Sequence, residues 1–569
     1  MRYLVVDTIS ERMITMKENT KKITAMVLSL IMAIGMMTGC GGKDSSGSKK
    51  GEMIVGDNRE QNISNNGQQN LDDADGLEWH YSEEAISDMD INTEEYNYYA
   101  ENSYLSVAEH PLSTFSTDVD TASFTNIRRM IENNQNIDPN AVRTEEFINY
   151  FKYNYEYPDG DDKIAITTEL SDCPWNADAK LMQIGLQAKD IDVQDIDSNI
   201  VFLIDVSGSM ADENKLPLVV QAFAMLAENL GENDRISIVT YAGRDTIELE
   251  GESGANYETI ASTLAGLTAG GSTAGAAGIN TAYELAEKYF IKGGNNRVIL
   301  ATDGDLNVGL SSEEELKALI EEKRDKGVFL SVLGFGMGNY KDNRLEALAD
   351  NGNGNYAYID SVDEAERVLV TEMNGTMFTV AKDAKIQVEF NPTNVAYYKL
   401  VGYENRLLED QDFEDDTKDA GDVGANQQVT ALYELILNDG KADGDDSKRT
   451  LKYQDDVEYP APEKIDEKDL DKELLTVSVR YKEKDENESK LIDKAVKLAS
   501  YVNKEEMSEN MKLACAATMF AKTLGNSETK FTMNDIRNYA KGLKLDAEEL
   551  LKLIALYEDN YQAPVEIIE

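Results

Sequence analysis

Between residues 198 and 378, the pattern of apolar and polar positions switches repeatedly between that of a buried strand and that of a helix. Near-continuous apolar runs, NIVFLIDVS, RISIVTYA, NRVILATDG and VFLSVLGFG, are separated by segments with apolar residues at helical spacing, such as KLPLVVQAFAMLAENL. Further helices are predicted near 257–267, 277–290 and 312–326, and on to about residue 376. Strands that are apolar on both faces and separated by helices indicate a parallel sheet covered on both sides. The predicted fold class is α/β, with a doubly wound parallel sheet.

Short strand-like runs flank this segment on both sides. KIAITTEL and KLMQIGLQA precede it, and AKIQVEFN, AYYKLVGYE, VTALYELIL and LLTVSVRYK follow it. Several short strands interrupted by an α/β segment predict a β-sandwich-like region, over 161–197 and 379–485, into which the α/β domain is inserted. Apolar residues at helical spacing predict an N-terminal helical segment over 101–160 and a C-terminal helical region over 486–569.

The N-terminal part of the chain has the composition of an export signal and a tether. A basic segment from Met16, MKENTKK, precedes a mostly apolar stretch that ends in Thr38, Gly39 and Cys40. Met37-Thr38-Gly39-Cys40 resembles the bacterial lipobox, which implies that Cys40 is lipidated and that residues 1–40 contain a signal peptide. Residues 1–14 have no role in such a signal, so translation is predicted to begin at Met16. Residues 41–100 are too polar to fold and are predicted to be a disordered tether. We therefore expect a protein anchored to the cell membrane by lipid and facing outside the cytoplasm.

Charge and cysteine content exclude some functions. The net charge of −52 disfavours binding to nucleic acid. Three cysteines and two histidines, widely spaced, do not provide a Cys/His zinc cluster. Cys173 and Cys515 either pair or lie buried as small apolar side chains, and the second alternative is favoured.

Oxygen-bearing side chains follow three of the predicted strands and loops of the α/β segment. Asp205, Ser207 and Ser209 follow the first strand, Thr273 lies in the loop LTAGGSTAG, and Asp303 follows NRVILAT. Ligands of open α/β sheets bind beyond the carboxyl ends of the strands. Carboxylates and hydroxyls are hard donors that suit Mg²⁺, Mn²⁺ or Ca²⁺. The sequence predicts a divalent-cation site here, at which an Asp or Glu of a protein partner supplies a further oxygen.

This constellation, D-x-S-x-S with a distant Thr and a distant Asp-Gly, resembles the metal-ion-dependent adhesion site of von Willebrand factor A domains. PLSTFSTDVDTASFTNIRRM before the domain, with NRVILATDGDLNVG and VFLSVLGFGMGNYKDNRLEALADNGNGNYAYID inside it, resembles a bacterial family of YfbK type. The resemblance implies a von Willebrand factor A domain over 198–378 and five metal ligands, direct or through water: Asp205, Ser207, Ser209, Thr273 and Asp303.

Alternative sites match less well, and no enzyme activity is expected. Ser207 stands where a phosphotransferase of the haloacid dehalogenase type needs a second acid. The loop 271–275 lacks the serine elbow and nearby histidine of a serine hydrolase. Asn339 replaces the last glycine of a dinucleotide fingerprint, which favours a turn at 334–338. Thr450 replaces the bidentate glutamate of a calcium loop over 439–446.

Two functions remain open at this point. One is a surface module that binds an acidic residue of a protein partner through the cation. The other is a docking or regulatory subunit of an envelope complex, with the cation as an assembly switch.

Overall fold

The computed structural model describes residues 94–191, 196–271, 275–304, 313–338, 340–438, 471–483, 486, 488–525, 527 and 531–561. The strands in chain order are β1 Leu105–Ser106, β2 Leu112–Ser116, β3 Ile164–Asp172, β4 Lys180–Ala188, β5 Ser198–Asp205, β6 Arg235–Tyr241, β7 Asp245–Ser253, β8 Asn295–Thr302, β9 Phe329–Phe335, β10 Tyr356–Ile359, β11 Thr379–Phe390, β12 Val395–Val401, β13 Gly421–Gly424, β14 Gln428–Leu437, β15 Glu473–Lys482 and β16 Lys490–Lys497.

The α-helices in chain order are α1 Ala122–Glu132, α2 Thr144–Asn149, α3 Leu216–Ala227, α4 Tyr257–Ala265, α5 Gly275–Lys288, α6 Glu313–Asp325, α7 Asp342–Asn351, α8 Val362–Glu366, α9 Met373–Met377, α10 Glu509–Leu524, α11 Met533–Ala540 and α12 Glu548–Tyr561. A π-helical turn, Arg367–Thr371, joins α8 to the loop before α9. All of these elements belong to one compact unit, Ile91–Glu569.

The central sheet has the strand order β10-β9-β8-β5-β6-β7, and its pairs are parallel except for β6 with β7. Every residue of β5 is buried. Phe202 on one face stacks on Phe223 of α3, with ring centroids 4.1 Å apart. Val201 and Leu203 on the other face share a core with Ile279 of α5. Because β5 is packed on both faces, its apolar residues run without a break, and the predicted doubly wound sheet is confirmed.

Two antiparallel sheets are built from the strands before and after this domain. One has the order β1-β12-β14-β4-β3 and the other β13-β11-β15-β16, with β2 also paired to β11. Phe390 of β11 stacks on Tyr398 of β12 and meets Tyr433 of β14 edge-on, with centroids 4.1 and 5.5 Å away. The two sheets therefore share a core, and strands from both sides of the central domain in sequence meet in one sheet.

Some elements differ from the sequence prediction. Residues 105–106 and 112–116, predicted to lie in a helical segment, form β1 and β2, and residues 490–497 form β16 at the start of the predicted C-terminal helical region. The strand β7 was not predicted at all. These strands pair at sheet edges or are largely exposed, and β7 alternates polar with apolar residues on a solvent-facing edge, with Ile247 46% exposed. Such strands lack the apolar run that marked the buried ones.

Buried ion pairs connect the central domain to the sandwich. The Arg406 guanidinium, just after β12, donates hydrogen bonds to Asp118 (3.1 Å), Asp120 (3.2 Å), Glu346 (3.1 Å) and Asp350 (2.7 Å). The last two acids belong to α7 of the central domain. The neighbouring acids raise the pKa of Arg406 against the opposing effect of burial. Arg406 is therefore held as a cation at this junction.

Candidate metal centre

The carboxyl ends of β5 and β8 bring two aspartates together. The strands are parallel neighbours, with Ile204 opposite Ala301, so Asp205 at the end of β5 lies beside the end of β8, where Thr302 and Asp303 follow. Asp205 is fully buried and Asp303 is 2% exposed. The parallel pairing thus places together two acids that are far apart in sequence.

The turn after β5 directs hydroxyl oxygens to the same edge. The Ser207 amide donates to Asp205 Oδ1 at 2.8 Å, and the Ser207 and Ser209 hydroxyl oxygens lie 3.0 Å apart. Met210 is buried beneath this turn, whereas Ser209 is exposed. The two serines therefore rise from the buried acid towards solvent.

A second loop is tied to this turn by its backbone. The Gly208 amide donates to Gly271 O at 3.0 Å, and Gly271 has φ +90°, a conformation that favours glycine. Thr273, the predicted ligand from this loop, lies outside the described residues. The contact brings the start of the glycine-rich loop to the serine turn, so the loop reaches the predicted site.

Burial changes the pKa of Asp205. Burial raises the pKa of Asp205 to about 6, with a smaller upward effect from Asp303, against the hydrogen bonds from Ser207 and Thr302. Thr302 Oγ1 donates to Asp205 Oδ2 at 3.2 Å. Asp303 Oδ2 accepts from Lys215 Nζ at 3.1 Å, whereas Asp303 Oδ1 is buried and has no hydrogen-bond partner among the described residues.

These groups fit a small divalent cation. The buried Asp303 Oδ1 needs a partner, since an unsatisfied buried acceptor costs about 1–3 kcal/mol or more when it is charged. Among the described residues, no three His, Cys, Asp or Glu side chains come together to hold a metal ion. A cation here would therefore depend on serine hydroxyls together with two carboxylates, the donor set of Mg²⁺, Mn²⁺ or Ca²⁺.

The sequence prediction did not include two residues of this edge. Thr302 was assigned to the apolar strand and not to the site, although its position next to Asp303 indicates that it lies at the same edge. Lys215 was assigned only to the start of a helix. Its side chain contacts Asp303, which is distant in sequence and comes near only when the chain is folded.

Further predictions concerned the cysteines, the segment 334–338 and the acidic loop 439–446. Cys173 and Cys515 are free and buried, as the favoured alternative predicted. Gly334 and Phe335 are the last residues of β9, so the predicted turn begins only after them, with a bend at 337–338, Gly336 at φ +75° and Gly338 at φ +92°. Cys40 and the acidic loop 439–446 lie outside the described residues.

Three protein-family models match this chain, and together they cover nearly all of the described residues. The model of the von Willebrand factor type A domain matches residues 199–371. A model described as von Willebrand factor matches residues 90–183, and the model of the YfbK C-terminal region matches residues 375–559. The fold and the edge described above thus define a protein with a von Willebrand factor type A domain.

Similar proteins extend this match. The chain is 40% identical to the protein YfbK of Escherichia coli (strain K12) over 444 residues, which cover 77% of this chain and 75% of that protein. A Synechocystis protein, sll0103, is 31% identical over 170 residues, which cover 29% of this chain and 39% of that protein. The solved structure of a von Willebrand factor type A protein from Catenulispora acidiphila is 12% identical with a TM-score of 0.38, covering 72% of this chain and 98% of that chain. The chain belongs to the YfbK family.

Proposed function

We propose that this protein binds a protein partner outside the cytoplasm through a divalent cation at the carboxyl edge of its central sheet. The observation that carries the proposal is Asp303 Oδ1, a buried carboxylate oxygen that has no hydrogen-bond partner among the described residues and belongs to the same sheet edge as Asp205. The cation is Mg²⁺, with Mn²⁺ or Ca²⁺ as alternatives, held by Asp205, Ser207, Ser209, Thr273 and Asp303.

The arrangement favours binding of a partner from one side. Asp205 and Asp303 form the buried floor, whereas Gly208, Ser209 and Gly271 are exposed at the rim. A bound cation would offer an open coordination position to an Asp or Glu carboxylate of the partner. The Asp205 and Asp303 carboxylates would balance the charge of the cation, and the serine hydroxyls would add oxygen ligands without adding negative charge.

Among the described residues, no histidine lies at this edge to act as a base for a serine nucleophile. His110, the histidine within the described residues, precedes β2 in the sandwich rather than following a strand of the central sheet. Serine nucleophiles need a base in hydrogen-bond reach, and Ser207 and Ser209 contact each other instead. We therefore propose binding and not catalysis.

We also propose that the protein lies on the outer side of a cell membrane, attached through lipid on Cys40. The support is the sequence of residues 16–40, with its basic start, short apolar core and lipobox-like end. In the described part of the chain, no helix has the length and apolar character needed to cross a bilayer.

Calorimetric titration of the full chain with Mg²⁺ and Mn²⁺ tests the cation site. Asp205→Ala and Thr273→Ala should each abolish measurable binding. Glu213→Ala is the matched control, because Glu213 is an exposed acid just after the same turn, and it should bind as the unchanged protein does. Equal binding by all four proteins would refute the site.

Capture of partners from an envelope extract, with and without chelator, tests the interaction. An extracellular or matrix protein that is lost in chelator supports the adhesion function. A membrane or envelope complex lost in chelator supports the alternative, a docking or regulatory subunit with the cation as assembly switch. Capture that persists fully in chelator would contradict both.

A further inference from the structure

A lysine side chain occupies the predicted cation edge. Lys215 precedes α3, and its side chain is 7% exposed. Its ammonium nitrogen donates to Ser209 O at 3.0 Å and to Asp303 Oδ2 at 3.1 Å. A fixed positive charge therefore lies between two residues predicted to hold the metal.

The loop after β9 fixes the path of this lysine. Gly336 has φ +75°, and a Cβ atom added there would lie 2.3 Å from Lys215 Cε. The lysine stem therefore runs over the backbone of Gly336, where any side chain would displace it. The stem thus lies against Gly336 while the ammonium is hydrogen-bonded to two oxygen atoms, so contacts at both parts of the side chain hold the charge at this edge.

This charge changes the electrostatic balance of the site. Asp205 and Asp303 together carry two negative charges when ionised, enough to neutralise a divalent cation. Lys215 Nζ also lies 3.9 Å from the carboxylate of Asp212, but that side chain is 74% exposed and solvent screens its charge. Adding Lys215 therefore leaves the buried part of the loaded site with one excess positive charge, which one further carboxylate would neutralise. Charges only a few ångströms apart in a largely buried site interact strongly.

We propose that Lys215 makes cation binding and carboxylate binding cooperative at this edge. It weakens the affinity of the protein for the cation alone and strengthens the affinity of the loaded site for an acidic partner. The inference rests on the cation site proposed above. By linkage, the factor by which the carboxylate raises cation affinity equals the factor by which the cation raises carboxylate affinity.

A simpler role for Lys215 is to neutralise the buried Asp303 and thereby stabilise the fold. That role predicts a loss of stability in Lys215→Met, and it too predicts tighter binding of the cation alone, because a neighbouring positive charge is removed. It also predicts no change in the dependence of cation binding on carboxylate. The two roles therefore differ in binding measurements and not only in stability.

The test is Mn²⁺ titration of the full chain by electron paramagnetic resonance, in chloride and in acetate at equal ionic strength. Acetate serves as the carboxylate probe. The unchanged protein should bind Mn²⁺ roughly fivefold or more tightly in acetate than in chloride. Lys215→Met should bind Mn²⁺ in chloride roughly tenfold more tightly than the unchanged protein, and should lose most of the acetate effect. Lys215→Arg, which keeps the charge, should keep the acetate effect.

Gly336→Ala provides a second variant that moves the lysine without removing it. It should change Mn²⁺ binding in the same direction as Lys215→Met, and thermal unfolding in chelator shows whether each variant is folded. If folded Lys215→Met keeps the full acetate effect, or binds Mn²⁺ in chloride no more tightly than the unchanged protein, the cooperative role is wrong. If the unchanged protein and Asp205→Ala bind Mn²⁺ equally in both buffers, the cation site itself is wrong.

Discussion

Thr302 Oγ1 donates a hydrogen bond to Asp205 Oδ2 at 3.2 Å, and the same hydroxyl accepts from the Gly304 amide at 3.2 Å. The bond joins the ends of the neighbouring strands β5 and β8, and it fixes the orientation of the Asp205 carboxylate. The other oxygen, Oδ1, is held by the Ser207 amide. Asp205 is thus oriented by groups from two different parts of the chain.

Thr302→Val should weaken Mn²⁺ binding about tenfold, because side chains that orient a metal ligand typically contribute that much to metal affinity. Valine has nearly the same shape, so the β8 core should stay packed. The control is Thr240→Val, another buried strand threonine, whose hydroxyl donates to Glu248 instead. Calorimetry should show a loss for Thr302→Val alone, and equal losses for both variants would contradict the orienting role.

The stability of the metal-free protein should depend on the protonation of Asp205. Its pKa is raised from 3.8 to about 6 by burial, so the folded state holds the proton more tightly than the unfolded state. The stabilisation that comes from this tighter proton binding is fully present below about pH 4 and is lost as the pH rises through about 6. The free energy of unfolding should fall by about 2–3 kcal/mol over that range.

Urea unfolding in chelator between pH 4 and pH 7 measures this effect. Asp205→Asn lacks the titrating group, so the difference in the free energy of unfolding between it and the unchanged protein should grow in favour of the variant as the pH rises. A difference that stays constant over this range would show that Asp205 titrates normally.

Arg406→Ala should lower the free energy of unfolding by about 3–5 kcal/mol, because it leaves buried acids without their cation. Asp118, Asp120 and Glu346 are all buried at this junction. Lys288→Ala is the control, since its ion pair with Glu250 lies on the surface and should contribute little. Chemical denaturation at neutral pH should separate the two variants clearly, and a small effect at Arg406 would argue against the junction being essential.

Arg297 and Arg128 should respond in opposite ways to replacement by methionine. Arg297 is fully buried in β8, burial lowers its pKa to about 10, and its hydrogen bonds go to the neutral oxygens of Ser331 and Met377. Arg297→Met should leave stability unchanged or raise it by about 1–3 kcal/mol, since a buried charge is costly.

Arg128 pairs with Asp360 and Glu364, so Arg128→Met should destabilise the protein by about 3–5 kcal/mol. Thermal or urea unfolding of the two variants side by side gives the comparison. Similar destabilisation by both would mean that packing of the arginine stems, rather than charge pairing, decides stability.

Cys40→Ser should move the protein from the membrane fraction to the soluble fraction of its native cells, because the attached lipid is the proposed anchor. The control is Cys173→Ala, which removes a buried thiol of the folded unit and should leave the location unchanged. Fractionation with metabolic labelling by a fatty acid measures both properties. Membrane attachment that persists in Cys40→Ser would require another anchor.

The sequence by itself determined the buried framework. Strands such as β5 and β8 are apolar without a break because both faces are covered, so their pattern alone identified a doubly wound sheet. The pattern also located Asp205, Ser207, Ser209 and Asp303, since residues that follow such strands must meet at one edge.

Only the tertiary structure decided which atoms meet at that edge. Strand pairing joins Thr302 to Asp205, and the path of Lys215 over Gly336 carries a charge to Asp303. Neither contact has a local signature, because a hydrogen bond between distant residues depends on strand order and register. The same reason explains why β2, β7 and β16 were missed: an exposed or edge strand carries no continuous apolar run, and its pairing partner alone makes it a strand.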